Sequence, residues 1–411
     1  MSRGMRREAS GAMHLLCVID SVVKNGAERS LAALVPHYVR RGMRVDVAYL
    51  HERPGLQHEL RNAGASLFCL GGRGRRVQWA RGTVQLIRER RPDLVHTTLF
   101  ESDVAGRVAG TLTAVPVVST LAAINYGRHR ANSSVSPWKL RGAQMVDAAT
   151  ARLVARFHAV SGEVADTMAP LLHVPRERID VVPRGRDPEV LGTRSPERAE
   201  RVRAALGLGA SDLVILAVAR HDHRKGLDVL LDAFSLVRAE EPRARLLLAG
   251  PDGDVTARLH ARAAELRLGD DLVVLGPRDD VPELLCLADV FVLASTSEGS
   301  PGALLEAMAL EAPIVATDIA AVSELMDGED AGVLVKPGTA TGLAEGLLRV
   351  MKDPSGASDR ALVARRMFLS RFTIDRVADG MIDFYDRALG SSGSLHRAHD
   401  RGARPLERQS G

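Results

Sequence analysis

Val290-Phe-Val-Leu-Ala-Ser-Thr-Ser-Glu-Gly-Ser-Pro-Gly-Ala-Leu-Leu-Glu-Ala-Met-Ala309 joins a short apolar run to a helical pattern through a loop of small residues. Val290–Leu293 has the length and composition of a strand buried on both faces. Ser300 suits an N-cap and Pro301 the first helical position. A helix is therefore expected from about Pro301 to Leu310. Its first turn presents unpaired N–H groups and a partial positive charge, which suit an anion such as a diphosphate. Gly299 and Gly302 leave the backbone open to a ligand. Strand, tight loop and helix in this order describe one βαβ step of a parallel sheet.

Two carboxylates frame that helix start. Glu298 stands in the loop and Glu306 lies about one and a half turns inside the helix. Phosphate repels carboxylates, whereas sugar hydroxyls donate hydrogen bonds to them. Glu298 is accordingly expected on a transferred sugar and Glu306 on a nucleotide ribose. A retaining hydrolase pair would stand about 5–5.5 Å apart. Eight residues of helix would separate these two by roughly 12 Å, so a hydrolytic pair is not the natural reading.

The same alternation runs on either side. Expected strands of the second half are Val214–Ala219, Ala244–Ala249, Leu272–Leu275, Val290–Leu293, Pro313–Thr317 and Gly332–Val335, with helices between them. The first half repeats the plan. A strand begins near Met13, followed by Val45–Leu50, Asp93–His96, Val115–Thr120, Arg156–Val160 and Ile179–Val182, with helices over about 26–41, 56–63, 77–90, 101–112, 140–154 and 162–172. The expected class is α/β, with two Rossmann-like domains facing across a cleft. The boundaries are a disordered extension over 1–12, a first domain over 13–187, a linker over 188–210 and a second domain over 211–370. A helix over 371–389 and a Gly/Ser/Arg-rich disordered tail over 390–411 complete the chain.

Composition excludes other classes. The 411 residues are 45% hydrophobic and 26% charged, and their mean hydropathy is -0.03. No apolar run nears the roughly 20 residues of a membrane span. The apolar stretch after Met1–Ala12 runs into Asp20, so a strand is expected there and not a signal peptide. The net charge is +4 and aromatic residues make up 3%. Neither favours nucleic acid, whose single strands need stacking platforms. Cys17, Cys69 and Cys286 lie far apart in apolar surroundings and read as buried thiols of a reducing, cytoplasmic compartment. No metal-ligand spacing is present, and no cofactor or metal is expected.

Two further loops carry charge. Val218-Ala-Arg-His-Asp-His-Arg-Lys-Gly226 follows the first strand of the second block, where open α/β sheets bind ligands. Arg220 and Lys225 there suit a diphosphate and the charge it gains as a glycosidic bond breaks. Val23-Lys-Asn-Gly-Ala-Glu-Arg-Ser30 follows the first strand of the chain, and Gly26 lets a phosphate approach the backbone.

Together these motifs resemble glycosyltransferase family 4. The resemblance spans about 13–390. It rests on Glu298-Gly-Ser-Pro-Gly-Ala-Leu-Leu-Glu306, Arg220-(x4)-Lys225-Gly226 and Asn25-Gly-Ala-Glu28. His158-Ala-Val-Ser161, Pro183-Arg-Gly-Arg-Asp187, Leu248-Ala-Gly250 and Leu275-Gly276 add to it. The resemblance implies a GT-B fold, retaining and metal-independent chemistry, and a final helix crossing back to the first domain. It implies a nucleotide-sugar donor held mainly by the second domain and an acceptor held mainly by the first. Arg220 and Lys225 would contact the diphosphate, Glu298 the sugar, Glu306 the ribose, and Gly26 the phosphate from across the cleft. Gly276 and Arg278 would border the base.

One departure stands out. Many family members carry a sugar-contacting histidine after the strand corresponding to Val115–Thr120, where this chain has Ala122 or Ala123. His96, Asn125 and His129 are the candidate replacements, as sugar or acceptor contacts. The acceptor class stays open between glycan, lipid-linked and small molecule. Two other readings share the architecture: a nucleotide-sugar 2-epimerase and a non-catalytic binding relative. The basic segment Arg73–Arg91, with Val77, Trp79, Val84 and Ile87, admits either peripheral contact with an anionic membrane or an ordinary Rossmann helix.

Overall fold

The computed structural model describes residues 13–71, 76–126, 136–326 and 330–400, with backbone alone for Arg76 and 391–400. The first domain alternates β1 (His14–Ile19), α1 (Gly26–Arg40), β2 (Arg44–Tyr49), α2 (Gln57–Asn62), β3 (Ser66–Cys69), α3 (Arg76–Arg90), β4 (Leu94–Thr98), α4 (Phe100–Thr113), β5 (Val117–Leu121), α5 (Pro137–Ala151), β6 (Arg156–Ala159), α6 (Gly162–Leu172) and β7 (Ile179–Val181). Next come α7 (Pro188–Leu191) and α8 (Pro196–Ala205). The second domain holds β8 (Leu213–Val218), α9 (Leu227–Glu240), β9 (Ala244–Ala249), α10 (Thr256–Glu265), β10 (Leu272–Gly276), α11 (Val281–Leu287), β11 (Val290–Leu293), α12 (Gly302–Ala309), β12 (Ile314–Thr317), α13 (Ala320–Met326), β13 (Val333–Val335), α14 (Ala340–Lys352) and α15 (Pro354–Arg371). The chain closes with α16 (Ile374–Asp400).

Both sheets are parallel and doubly wound. The strand order is β3-β2-β1-β4-β5-β6-β7 in the first and β10-β9-β8-β11-β12-β13 in the second. Each order reverses beside its first strand, between β1 and β4 and between β8 and β11. Those reversals are where the loops diverge and a ligand can enter. Apolar strands covered on both faces account for the cores, and the strands β8, β9, β11 and β12 are almost wholly buried.

Three details differ from expectation. β3 was not foreseen: it is four residues long, lies on the sheet edge and alternates too weakly to declare itself. Cys69 at its end is exposed, whereas Cys17 and Cys286 are buried. The stretch expected as a linker forms α7 and α8, whose Leu191 and Val202 pack into the second domain's core.

The chain crosses between domains twice at one place. Arg186 N donates to Phe372 O at 3.0 Å, and Ile374 N donates to Arg186 O at 2.8 Å. From there α16 returns to the first domain. Val377, Met381, Phe384 and Tyr385 bury themselves against α1 and the first sheet. The helix foreseen over 371–389 starts at Ile374, and its backbone stays helical to Asp400, into the stretch expected to be disordered. Extending an anchored helix adds a hydrogen bond per residue without a new nucleus.

Candidate active site at the interdomain cleft

The reversal in the second sheet brings two distant loops together. The loop after β8 and the loop after β11 are joined by Thr296 N donating to Arg224 O at 2.8 Å. Gly226 has a φ of +59°, and a Cβ there would fall 2.1 Å from the Ala294 carbonyl oxygen, so glycine is required. This packing sets Lys225 Nζ 2.6 Å from Glu298 Oε1. Ser295 Oγ donates to the same oxygen at 2.7 Å. Oε2 of Glu298 makes no hydrogen bond among the described residues and can accept from a ligand hydroxyl.

The helix that follows begins one residue later than expected. Pro301 is the N-cap of α12 in an extended conformation, and no side chain caps it. Ser300, expected in that role, is buried, and its Oγ has no partner among the described residues. The first turn of α12 is thus free of intrachain capping. Arg186 leans over it: a Cβ on Gly302 would fall 1.8 Å from Arg186 Nη2. Arg186 Nε donates to Glu306 Oε1 at 2.6 Å. Both carboxylates are therefore held by a cation through one oxygen each.

The first domain closes over these groups. Arg220 Nη2 donates to Asn25 Oδ1 across the cleft. Gly26, the first residue of α1, lies against Arg184, whose Nη1 would be 2.7 Å from a Cβ there. A Cβ on Gly299 would fall 2.5 Å from the Ala122 carbonyl oxygen, so the loops after β5 and β11 meet backbone to backbone. At the far end, Gly276 has a φ of +66° with open space beyond it. Arg278 Nε donates to Asp280 Oδ1 at 2.7 Å, and Lys24 Nζ reaches Asp279 of the same loop at 2.8 Å. Each bridge holds its acidic partner below the usual aspartate range.

Arg220, Lys225, Glu298, Gly299, Ser300, Gly302, Glu306 and Gly26 thus converge, with Gly276 and Arg278 on a neighbouring loop. Arg184 and Arg186 were missed as site residues. Their only signal is two arginines in Pro183–Asp187, a stretch whose likeness to the family points to no particular contact. A cavity of about 430 Å³ reaches this loop at Gly299 and Ser300 and continues past Ser161, Glu324 and Phe372. Its lining does not include Arg220, Lys225 or Glu306.

The histidine candidates fare differently. His96 is buried, and both ring nitrogens are engaged. Nδ1 accepts from Tyr385 OH at 2.8 Å and Nε2 donates to Thr120 Oγ1 at 2.6 Å. Burial, then the neighbouring His158, pushes it down to about 3. Neither nitrogen is free for a sugar hydroxyl, so the expected ligand role does not fit. Asn125 is half-buried in the loop after β5, with no hydrogen bond to the cluster among the described residues. His129 lies outside the described residues. In α3, Trp79, Leu86 and Ile87 are buried and Val77 is exposed, so the helix packs its apolar side inward as a Rossmann helix does. No described helix is long and apolar enough to cross a membrane.

The fold thus gathers these charged loops at the switch points of two Rossmann-like domains. Family models match both halves of the chain. Residues 199–366 match glycosyl transferases group 1, and residues 24–190 match glycosyltransferase family 4. A D-inositol 3-phosphate glycosyltransferase of Mycolicibacterium vanbaalenii is 31% identical over 342 residues, covering 78% of this chain and 71% of that protein. A 2-deoxystreptamine glucosyltransferase of Streptomyces kanamyceticus is 26% identical over 300 residues, covering 70% and 74%. The crystal structure of Anabaena Alr3699/HepE in complex with UDP and glucose superposes with a TM-score of 0.79 at 23% identity, covering 91% of this chain and 99% of that one. The chain belongs to the group 1 and family 4 glycosyltransferases.

Proposed function

We propose that the protein transfers a hexose-type sugar from a nucleoside diphosphate to an acceptor hydroxyl, with retention of configuration. The acceptor is a glycan, a lipid-linked molecule or a small molecule. The observation that carries this reading is the 2.6 Å contact of Lys225 with Glu298 at the switch point. It brings a cation suited to a phosphate and a carboxylate suited to sugar hydroxyls to one spot, beside the uncapped start of α12. Relatives named for glucosyl transfer and a structural neighbour holding UDP and glucose support it.

In this mechanism Arg220, Lys225 and the first turn of α12 hold the diphosphate. Glu298 Oε2 and Glu306 Oε2 accept from the sugar and ribose hydroxyls. The bond between the anomeric carbon and the phosphate oxygen breaks, and its electron pair stays on that oxygen. The acceptor oxygen bonds to the same face of the carbon, and its proton passes to the departing phosphate oxygen. No protein base is needed. Fixed cations at that oxygen lower the barrier because they need no reorganisation as charge develops. Closing the domains excludes water and limits hydrolysis of the donor. The clamp supplies the charge that a metal would otherwise bring, and neither metal nor cofactor is proposed.

The test is calorimetry with a panel of nucleoside diphosphates, followed by transfer assays with the matching sugar donors. One diphosphate is expected to bind, and its sugar to leave only when acceptor is present. Binding to none would end the reading. Sugar turnover at equal rate without acceptor would favour an epimerase.

A further inference from the structure

Among the described residues Arg184 is in no ion pair. It follows β7, one residue before the crossing at Gly185–Arg186, and its Nε is buried with no hydrogen-bond partner. Arg186, in contrast, is held by Glu306. Burial, then the like charge of Arg186, pulls Arg184 down to about 10; Glu298 and Glu28 act the other way. It is still charged at neutral pH. A guanidinium that is half-buried with its Nε shut off from water is costly without a partner, and an anion that pairs with it offsets that cost.

The surroundings say which ligand. The guanidinium occupies the space that a side chain at residue 26 would fill. It therefore lies over the N-terminus of the fifteen-residue helix α1, which also favours an anion. Asn25, next in sequence, accepts from Arg220 of the opposite domain. Glu298, which acts on Arg184, is paired with Lys225. Arg184 thus stands on the first-domain side of the cleft, within the reach of Glu298 and beside the residue next to Asn25, which Arg220 meets from the other side.

We propose that Arg184 binds the phosphate directly bonded to the transferred sugar, completing the anion clamp from the first domain. This rests on the transferase reading and refines it. The space that sequence reasoning gave to Gly26 backbone alone is filled by an arginine fork, which can take two phosphate oxygens at once. An anion between Arg184 and Arg186 also relieves their mutual repulsion. The oxygen that gains charge as the sugar leaves meets Arg184 only when the domains are together.

Calorimetry on the full chain tests this, using the nucleoside diphosphate that the donor panel selects and the corresponding monophosphate, which lacks that phosphate. R184Q is expected to weaken the diphosphate by about tenfold or more and the monophosphate by less than about twofold, and to lower kcat by about 10². R184K, which keeps the charge and loses the fork, is expected between R184Q and the parent. G26A leaves the arginine in place but pushes its flexible end aside, and is expected to weaken the diphosphate in the same direction by less. Circular dichroism confirms that each variant is folded; should R184Q fail to fold, R184K and G26A carry the test. Unchanged diphosphate binding, equal loss of both nucleotides, or a rise confined to the acceptor KM would overturn the assignment, the last in favour of an anionic acceptor. If the parent binds no nucleoside diphosphate, the transferase reading falls and this assignment falls with it.

Discussion

The two domains share a sheet plan but not a core. Beneath the second sheet the contacts are hydrocarbon: Leu216, Leu247, Phe291, Leu304 and Met308 are fully buried together. The first domain threads charge and hydroxyls through its interior. Fully buried Arg107 meets Asp147 at 2.6 Å and Asp103 at 3.4 Å. Asp46, also buried, meets His14 at 2.9 Å and Arg90 at 2.7 Å. A third chain ties α16 to the sheet. His158 Nε2 donates to the Val182 carbonyl at 2.8 Å, which leaves its Nδ1 to accept from Thr120 at 3.0 Å. Thr120 accepts from His96, whose other nitrogen accepts from Tyr385 OH, and Tyr38 OH lies 3.3 Å from that hydroxyl. Burial keeps both imidazoles neutral at neutral pH, and with His158 Nε2 donating to Val182 O the tautomers then follow and every donor in this chain points one way. Among the described residues the second domain buries fewer charges away from the cleft, Arg360 with Asp353 and Asp289 with Val214 N being two cases, while the first uses such groups to hold itself and α16 in place.

The sharpest way to break this contrast is to remove a first-domain charge that never meets the cleft. Arg107→Met strands Asp103 and Asp147, and breaking a buried pair on one side costs about 3–5 kcal/mol. Denaturant unfolding should show a loss of that size, with nucleotide affinity per folded molecule unchanged. The counterpart in the second domain is Lys225→Ala or Glu298→Ala. Each should cost about 2.7–4 kcal/mol of barrier, or 10²–10³ in kcat/KM, with the unfolding midpoint nearly unmoved, because neither side chain belongs to the core. An Arg107 variant as stable as the parent would undo the comparison, and so would a Lys225 variant that unfolds early.

Legibility in the sequence followed the same divide. That Lys225, Glu298 and the start of α12 come together was readable because glycines, cap residues and a strand-end cation are local signals with a direct physical meaning. Parallel strands were readable from their apolar runs, to within one to three residues at most ends. The polar core was not readable, since His96 meets Tyr385 across 289 positions, and nothing local distinguishes such a histidine from a ligand. Arg184 was hidden for a related reason: its position depends on Gly26, far away in the chain, making room for it. β3 was hidden because an edge strand of four residues carries almost no periodicity.

A smaller effect probes the histidine chain. In the folded protein His96 is held down to about 3, by burial first and then by His158. The unfolded chain takes up that proton near 6.5. Above that pH the residue contributes no pH dependence. Below it the unfolded state binds the extra proton, and stability falls by about 1.4 kcal/mol per pH unit. His158, pushed down to about 4 by burial first, acts in the same direction. Asp103, raised to about 7 by burial first, acts in the opposite one, since its folded form holds a proton that the unfolded form releases. Comparing the parent with His96→Gln isolates one histidine. The parent's advantage should shrink by that slope between pH 6.5 and 4 in urea titrations. A difference independent of pH would mean that His96 is charged or exposed in the fold.

The smallest predicted effect lies where the two domains touch. Glu324 of α13 accepts from Gly162 N, the first residue of α6, at 2.8 and 3.0 Å. Glu163 of α6 accepts in return from Ala321 N of α13 at 3.0 Å. Each helix start carries unpaired N–H groups and a partial positive charge, so each domain caps a helix of the other. A carboxylate at such a position contributes about 0.3–1 kcal/mol, enough to bias a hinge but not to hold a domain folded. The double change Glu163→Gln with Glu324→Gln should therefore leave the unfolding midpoint within a degree or two of the parent. It should also raise the ligand-free radius of gyration in small-angle scattering and weaken the donor by less than about tenfold, since closure then relies on the cleft contacts alone. Scattering curves that superpose would show that the cleft contacts of Arg220 with Asn25 and Lys24 with Asp279 suffice to keep the domains together.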